Sequence, residues 1–504
     1  MIFSWEDSVR VHTRFEKMRK ETLLLLLILF FSIFFRIYNL PTTLLFHFDQ
    51  GYHALATREI WQTKRLVLLG HKTDVEGIFH GSTFYYLALP AYLLSSWNPV
   101  GVSRIFSILN GLAVIFIFLS ARKLFNVKVG LLGSLFYVVS YSLISYSRWL
   151  SNVTLIPFFS TSLFYFFLKS RDYLYFLLPS FFLLGLISQL NGAIGFFFLI
   201  PALVLVFSLR RKLLEEKKFF IFSVIFFLLP ILPLIIFDLR HNFLVSSSII
   251  RLFFKGNTGF SLQGIFSNFQ LLKSETGNLL SYQFFGVFFL LVFLTFVATV
   301  EVFLKKGKET KNLKFLLLFI FLPFLGLCLY PGGIHGFFSV GILPFLTILF
   351  AWSLIFWMRK KIWRWPALLF VFLIVSLNLY HFHGFLKPGF NLIPIGTRNL
   401  ITLQDRLEAT DFIYKKAAGQ SFRTSIYIIP YSQYQPWDYV FSWYGQKKYG
   451  YLPQEEGKKT FVIFEPDYDF PYRLDDWLGR IEKDHGKPIS LFKSHDLNVW
   501  EMER

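Results

Sequence analysis

The residues that could carry chemistry are gathered in one polar stretch that follows the first long apolar run. This stretch, 46–60, places Asp49 between aromatic residues and continues through His53 to Arg58. A carboxylate beside an apolar wall has a raised pKa, which suits a general base, and it can also ligate a hard cation. An ordinary solvated loop aspartate is the simpler interpretation of the same pattern. The residues alone leave both interpretations open.

A second group of candidate residues is positively charged and lies on the side that the topology below predicts to face outward. An arginine can bind a phosphate through two parallel hydrogen bonds, but anchoring a helix end at lipid headgroups is the alternative for each residue. Arg240 with His241 is the preferred pair, because the two form a compact polar cluster between apolar runs. The other candidates are Arg58, His80, Arg148 and, more weakly, His335.

The composition indicates what kind of protein must position these groups. Of the 504 residues, 54% are hydrophobic and only 16% are charged, whereas soluble domains are about a quarter charged. The net charge is +20, but the basic residues form short clusters between apolar runs. That pattern favours contact with an anionic cytoplasmic leaflet over nucleic-acid binding. The single cysteine, Cys328, excludes an intramolecular disulfide. The sequence therefore predicts a polytopic α-helical membrane protein.

The topology follows from the apolar runs and the basic clusters. About eleven spans are predicted, near 22–38, 103–120, 130–147, 152–168, 173–189, 193–209, 219–237, 282–304, 315–331, 337–357 and 366–382. Basic clusters occupy every second loop, which places the N-terminus in the cytoplasm and the C-terminus outside the plasma membrane. Segment 82–97 is apolar but short and contains Pro90, so we predict an interfacial helix there.

Two outer regions complete the predicted organisation. A transmembrane domain is expected over 1–383, with a long first outer loop at 39–102 that contains Asp49, and a small extracytoplasmic α/β domain is expected over 384–504. In the second domain, 403–417 has helical periodicity, and 425–429, 460–464 and 497–501 are predicted strands. The outer loop 238–281 is interpreted either as a mobile flap or as a plain connector.

Several short motifs follow one another in a fixed order along the chain. They are Asp49-Gln50, Ala56-Thr57-Arg58-Glu59, Gly70, His80-Gly81 before Phe84-Tyr85-Tyr86, Tyr146-Ser147-Arg148-Trp149 with Asn152, and the Pro-containing segment 336–346. This order resembles the membrane-embedded GT-C glycosyltransferases, in particular the protein O-mannosyltransferases and the aminoarabinose transferases that modify lipid A. The resemblance covers most of 20–380. Gln50 and Asn152 stand where that family often has acids, so no metal ligand is assigned and a divalent cation stays open.

The resemblance implies sugar transfer outside the membrane by a hexosyl- or pentosyltransferase. The donor would be a polyprenyl-phosphate sugar and the acceptor a protein, lipid or glycan. Asp49 would be the general base of an inverting attack. The donor phosphate would be bound by Arg58, Arg148, Arg240 and His241, and the substrate would contact His53, His80 and Tyr85.

Other functions are compatible with parts of the sequence. A transporter or lipid-linked-sugar flippase is the main alternative, but such proteins have internal repeats, and we find no repeat of fixed period. A receptor or scaffold that binds partners through its tail is a third interpretation. Pro436-Trp437-Asp438-Tyr439 also resembles part of the Trp-Trp-Asp-Tyr-Gly signature of oligosaccharyltransferases, although core packing explains it as well.

Overall fold

The structure is a computed structural model that describes residues 5–254, 261–282, 284–382 and 401–503. The predicted domain boundary at 383–384 lies outside the described residues. The helices that precede it are α1 (Trp5–Ile37), α2 (Leu40–Thr43), α3 (Phe48–Thr63), α4 (Thr83–Leu94), α5 (Pro99–Leu124), α6 (Val127–Val139), α7 (Tyr141–Arg148), α8 (Ile156–Ser170), α9 (Leu177–Leu190), α10 (Gly192–Ser208), α11 (Arg210–Glu215), α12 (Lys217–Arg240), α13 (Leu244–Phe254), α14 (Leu262–Ser281), α15 (Phe285–Lys305), α16 (Lys308–Cys328), α17 (Leu343–Met358) and α18 (Arg364–Phe382).

Five helices in the described part of the chain are long and apolar enough to cross a membrane by length and composition. They are α5, α12, α15, α16, and α18 with the short turn before it. The pair α6 and α7, bent by 59°, adds a sixth. The predicted count of about eleven spans stays a prediction. Helix α4 has 12 residues, a rise of about 18 Å, which is shorter than the roughly 30 Å hydrocarbon core of a bilayer.

Much of the predicted outer loop 238–281 is helical. Helices α13 and α14 occupy most of its described residues, and Leu272 and Leu279 of α14 are completely buried. The amide of Asn268 donates hydrogen bonds to the carbonyls of Leu327, Cys328 and Tyr330 at 3.3, 3.3 and 2.9 Å. These bonds tie α14 to the end of α16 and favour the connector interpretation for this helix.

The core forms where small residues let helices approach. Helix α5 packs against α1, α6 and α8, and α17 packs against α6. Helix α12 packs on α9, where a Cβ at Gly185 would lie only 2.5 Å from the carbonyl oxygen of Phe227. Two short antiparallel strands, β1 (Leu69–Lys72) and β2 (Phe79–Gly81), form a hairpin between α3 and α4.

The C-terminal region, 401–503, contains a four-stranded sheet and four helices. Its elements are α19 (Leu403–Ala417), β3 (Phe422–Tyr427), α20 (Gln435–Val440), α21 (Gln446–Tyr449), β4 (Lys459–Phe464), α22 (Pro471–His485), β5 (Pro488–Ser494) and β6 (Leu497–Met502). The sheet order is β3-β4-β6-β5, with β3 and β4 parallel and the other neighbours antiparallel. Helix α19 and the strands at β4 and β6 lie where the sequence predicts them.

Two features of this region differ from the prediction. The first strand begins at Phe422 and ends at Tyr427, so the predicted range 425–429 is shifted toward the C-terminus. Strand β5 and helix α22 were not predicted. Strand β5 alternates partly buried and exposed residues, and α22 is rich in charged residues on its exposed side, so neither has the continuous apolar run of a buried element.

Candidate active site

A cavity of about 640 Å³ opens beside α3. One wall is polar and comes from α3, the β1–β2 hairpin and the loops before α10 and α17. Its polar residues are Asp49, His71, Lys72, Thr73, Asp74, His80, Ser188, Asn191 and His335. The other wall is apolar and comes from α10, α12 and α13, including Phe196, Leu199, Phe227, Ile231, Leu234, Ile249 and Leu252. The cavity can therefore receive a molecule with one polar and one apolar part.

Asp49 lies in the first turn of α3 and faces this cavity. The Asp49 side chain is 29% exposed to solvent. Burial, with added repulsion from the Asp74 carboxylate, raises the pKa of Asp49 to about 6. The nearest basic nitrogen, Nε2 of His71, lies 4.0 Å from the Asp49 carboxylate, which is too far for a hydrogen bond. This carboxylate is thus largely ionised at neutral pH and is positioned to accept a proton.

Three histidines form a row next to Asp49. The ring centroids of His53 and His71 are 5.0 Å apart, and those of His71 and His80 are 4.6 Å apart. Burial lowers the pKa of His71 to about 4 and that of His80 to about 3. All three rings are therefore neutral at pH 7 and offer hydrogen bonds but no positive charge. Among the described residues, no group of three or more His, Cys, Asp or Glu side chains is arranged to hold a metal ion.

Lys72 is the one lysine or arginine among the described residues that lines the cavity. It ends strand β1 and its side chain is exposed. His71, Lys72 and Asp74 were not singled out from the sequence. The signal for them was the polar run 71–74, which lies between Gly70 and His80 in the loop that already held Asp49.

Gln50 and Asn152 both have structural contacts. Gln50 accepts a hydrogen bond from the backbone nitrogen of His47 at 2.9 Å and donates to the carbonyl of Leu150 at 3.0 Å. Asn152 donates to the carbonyl of Leu190 at 2.6 Å, and the same nitrogen lies 3.2 Å from Nδ1 of His80. An amide can donate and accept at once, whereas an ionised carboxylate only accepts. These residues hold the first turn of α3 and the ring of His80.

The predicted phosphate-binding residues do not line the cavity. Arg58 donates to the hydroxyl of Ser442 at 3.2 Å. Arg148 is completely buried, and its guanidinium donates to backbone carbonyls at the end of α1 and just after it, including that of Tyr38 at 2.7 Å. Arg240 and His241 are exposed at the end of α12, where the His241 ring stacks on Phe237 with 3.8 Å between the centroids.

Of the three predicted substrate-binding residues, one lines the cavity and two do not. His80 lines the cavity. His53 and Tyr85 are 2% and 1% exposed and lie behind it, with the His53 ring 4.5 Å from Phe84 and 5.7 Å from Tyr85 between centroids. Neither ring nitrogen of His53 has a hydrogen-bond partner among the described residues. His53 and Tyr85 therefore pack behind the cavity, where the His53 ring lies against that of His71.

Solved structures with a similar fold are known, although the sequence comparisons find no match. No protein-family model matches the sequence, and no curated protein matches it. The structure is similar to ArnT from Cupriavidus metallidurans bound to undecaprenyl phosphate, with a TM-score of 0.60 and 11% identity, covering 94% of this chain and 97% of that one. The apo ArnT structure gives a TM-score of 0.58 at 11% identity, covering 95% and 98% of the two chains.

A third similar structure is the oligosaccharyltransferase of Archaeoglobus fulgidus tethered with an acceptor peptide containing the NVT sequon. Its TM-score is 0.52 at 12% identity, covering 96% of this chain and 74% of that chain. At these identities the likeness establishes the fold alone, which this chain shares with ArnT and with the oligosaccharyltransferase. With the apolar helices, it identifies the chain as an integral membrane protein.

Proposed function

We propose that this protein is a membrane glycosyltransferase that moves a sugar from a polyprenyl-phosphate donor to an acceptor on the outer face of the membrane. The observation that carries the proposal is the cavity itself. It joins a polar wall, with Asp49 and Lys72, to an apolar wall from α10, α12 and α13. A polyprenyl-phosphate sugar has the same two parts, a polar head and a long apolar tail. ArnT, which has the same fold, is known bound to undecaprenyl phosphate.

The proposed chemistry is a single inverting displacement. The acceptor oxygen or nitrogen attacks the anomeric carbon and loses its proton to the Asp49 carboxylate. The bond from the anomeric carbon to the phosphate oxygen breaks, and its electron pair leaves with the lipid phosphate. A pKa of about 6 suits this role, because most of the carboxylate is ionised at neutral pH yet it remains basic enough to take the proton.

The leaving phosphate gains negative charge and needs a positive partner. We propose Lys72 for this role, because it lines the cavity whereas Arg58, Arg148, Arg240 and His241 do not. Neutral His71 and His80 can add hydrogen bonds to phosphate oxygens without repelling one another. The first outer loop thus supplies both the base and the phosphate ligands.

The eleven-span topology belongs to the same proposal. It puts the cavity at the outer surface and the C-terminal region outside. A reporter attached after Arg504 tests this, since we expect its signal outside the cell. A cytoplasmic signal would contradict the topology.

The activity can be tested with the purified full-length chain in lipid nanodiscs. A panel of polyprenyl-phosphate sugars, labelled in the sugar, is supplied with a membrane extract as the source of acceptors. We expect label to move to an acceptor while free polyprenyl phosphate accumulates. Labelled nucleotide sugars, tested with the same folded protein, are the control and should stay intact. Transfer from the nucleotide sugars alone, or no consumption of any lipid donor, would contradict the proposal.

A further inference from the structure

We infer that the C-terminal region positions the catalytic helix, with Arg406 and the Gln435-Pro436 backbone as its two points of contact on α3. This inference rests on the proposed role of Asp49. It gives the region a function in the reaction beyond that of an attached outer domain. The contacts lie just before and just after Asp49 in the sequence.

The first contact fixes the chain that leads into α3. Arg406 is completely buried, and its Nε donates to the carbonyl of Phe46 at 2.8 Å. Its Nη2 donates to the Glu465 carboxylate at 2.9 Å, and its guanidinium lies 5.0 Å from the Trp437 ring centroid. Phe46 precedes Asp49 by three residues. An arginine with a planar fork of donors, held on two sides, allows little movement of that carbonyl.

Backbone hydrogen bonds reinforce this contact. The nitrogen of Phe46 donates to the carbonyl of Ile401 at 3.3 Å, and the nitrogen of Leu403 donates to the carbonyl of Leu44 at 2.8 Å. Leu45 and Thr402 form an antiparallel bridge. Residues 44–46 thus pair with 401–403 as one short ladder, and the two chain segments have to move together.

The second contact lies one turn further on. A Cβ at Gly51 would be 2.4 Å from the nitrogen of Pro436 and 2.6 Å from the carbonyl carbon of Gln435. Real Cβ atoms do not approach backbone so closely, so only glycine permits this packing. Asp49 and Gly51 are two residues apart, about 200° around the helix. One side of the first turn therefore faces the cavity while the opposite side is pressed against α20.

The segment Pro436-Trp437-Asp438-Tyr439 takes part in this contact. Trp437 and Tyr439 are completely buried, and the Tyr439 hydroxyl donates to the carbonyl of Trp97. Tyr439 and Val440 belong to the same hydrophobic cluster as the buried residues of α5 and α17. Tyr439 thus packs against the membrane part, Trp437 packs in the core of the C-terminal region, and Asp438 is exposed.

The Gly51 contact can be broken without changing the helix. Gly51→Ala raises helix propensity, so α3 itself is not weakened, but the new methyl group pushes α20 away. The matched control is Gly286→Ala in α15, where a Cβ meets nothing within 4 Å. By hydrogen exchange and mass spectrometry on the full chain, we expect exchange over 44–60 to rise about tenfold or more in Gly51→Ala only. With an active donor, kcat should fall by about tenfold to a hundredfold while the donor KM stays nearly constant.

The Arg406 contact separates positioning from simple stability. Arg406→Met removes the arginine from a buried ion pair with Glu465, so we expect a clear fall in Tm. The double variant Arg406→Met with Glu465→Met removes both charges and should regain most of the lost Tm. It still lacks the donor to Phe46, so turnover should remain low and exchange over 44–60 should remain raised.

Two results would overturn the inference. One is Gly51→Ala with exchange and turnover like those of the Gly286→Ala control. The other is a double variant that recovers wild-type turnover together with its Tm, which would make Arg406 purely structural. Exchange and Tm do not depend on catalysis. A failure of the proposed reaction would therefore leave these measurements interpretable, and Asp49→Asn with full turnover would refute the base without affecting the docking.

Discussion

The two sides of the first turn of α3 differ sharply in how their polar groups are satisfied. On the cavity side, the Asp49 carboxylate accepts no hydrogen bond from any described residue, and its nearest basic nitrogen is 4.0 Å away. On the opposite side, the Phe46 carbonyl is bound by Arg406 and Gly51 touches backbone. A reacting group must be free to exchange a proton, whereas the residues that hold it must not move. If the proposed function is correct, the cavity side carries the chemistry and the opposite side supports it.

The largest expected effect comes from the cavity side. Asp49→Asn keeps the shape of the side chain but removes the base, so turnover should fall by roughly 10²–10⁴-fold. Stability should not fall, because the carboxylate accepts no hydrogen bond from the described residues and its charge is partly desolvated. Turnover and Tm are measured on the same preparation, with Asp475→Asn on the exposed face of α22 as the control. Wild-type turnover in Asp49→Asn would refute the assignment.

A smaller loss is expected when the cation of the cavity is removed. Lys72→Met keeps the length of the side chain but cannot stabilise the leaving phosphate. We therefore expect kcat/KM to fall about tenfold to a hundredfold. This loss is near the lower end of the range for a charge-stabilising donor, because Lys72 is exposed. Lys64→Met, at the end of α3 and outside the cavity, is the matched control. Equal activity of the two variants would exclude Lys72 from phosphate binding.

The pH dependence tests the environment of Asp49. The base works only when it is deprotonated, so kcat/KM should rise with pH and reach a plateau, with a midpoint near the raised pKa of about 6. Because the charge of Asp74 contributes to that rise, Asp74→Asn should move the midpoint to lower pH. A rate that falls between pH 5 and 7, or a midpoint that rises in Asp74→Asn, would contradict the assignment.

The smallest effect is expected at the rim of the cavity. His335 and Asp74 are hydrogen-bonded, with 2.7 Å between Nε2 and the carboxylate, but the two side chains are 57% and 79% exposed. Exposed pairs contribute little, so His335→Gln should change the free energy of unfolding by less than about 1 kcal/mol. Chemical denaturation measures this change. A loss as large as that of Arg406→Met would show that the rim, too, is a supporting contact.

The sequence identified Asp49 because a carboxylate among aromatic residues after an apolar run is a local pattern. It also predicted α19 and the short apolar helix α4, whose lengths and periodicities are local. The partner of the Asp49 helix was not visible, since Arg406 lies 360 residues from Phe46. Nothing in the residues around either one indicates that they meet.

The predicted phosphate ligands illustrate the same limit. Arg148 lies at a helix end, where phosphate binding and structural anchoring look alike in sequence. Its Nη1 donates to carbonyls more than a hundred residues away in the sequence. The hairpin that brings Lys72 to the cavity has two short strands, whose pairing depends on contacts with α4 and α12 rather than on their own composition.

The most direct test is a structure of the protein in nanodiscs with polyprenyl phosphate bound. We expect the phosphate to bind between Asp49 and Lys72, and the first isoprene units to pack against Leu199, Ile231 and Leu234. A phosphate bound instead at Arg240 and His241, outside the cavity, with the tail away from α10 and α12, would contradict it.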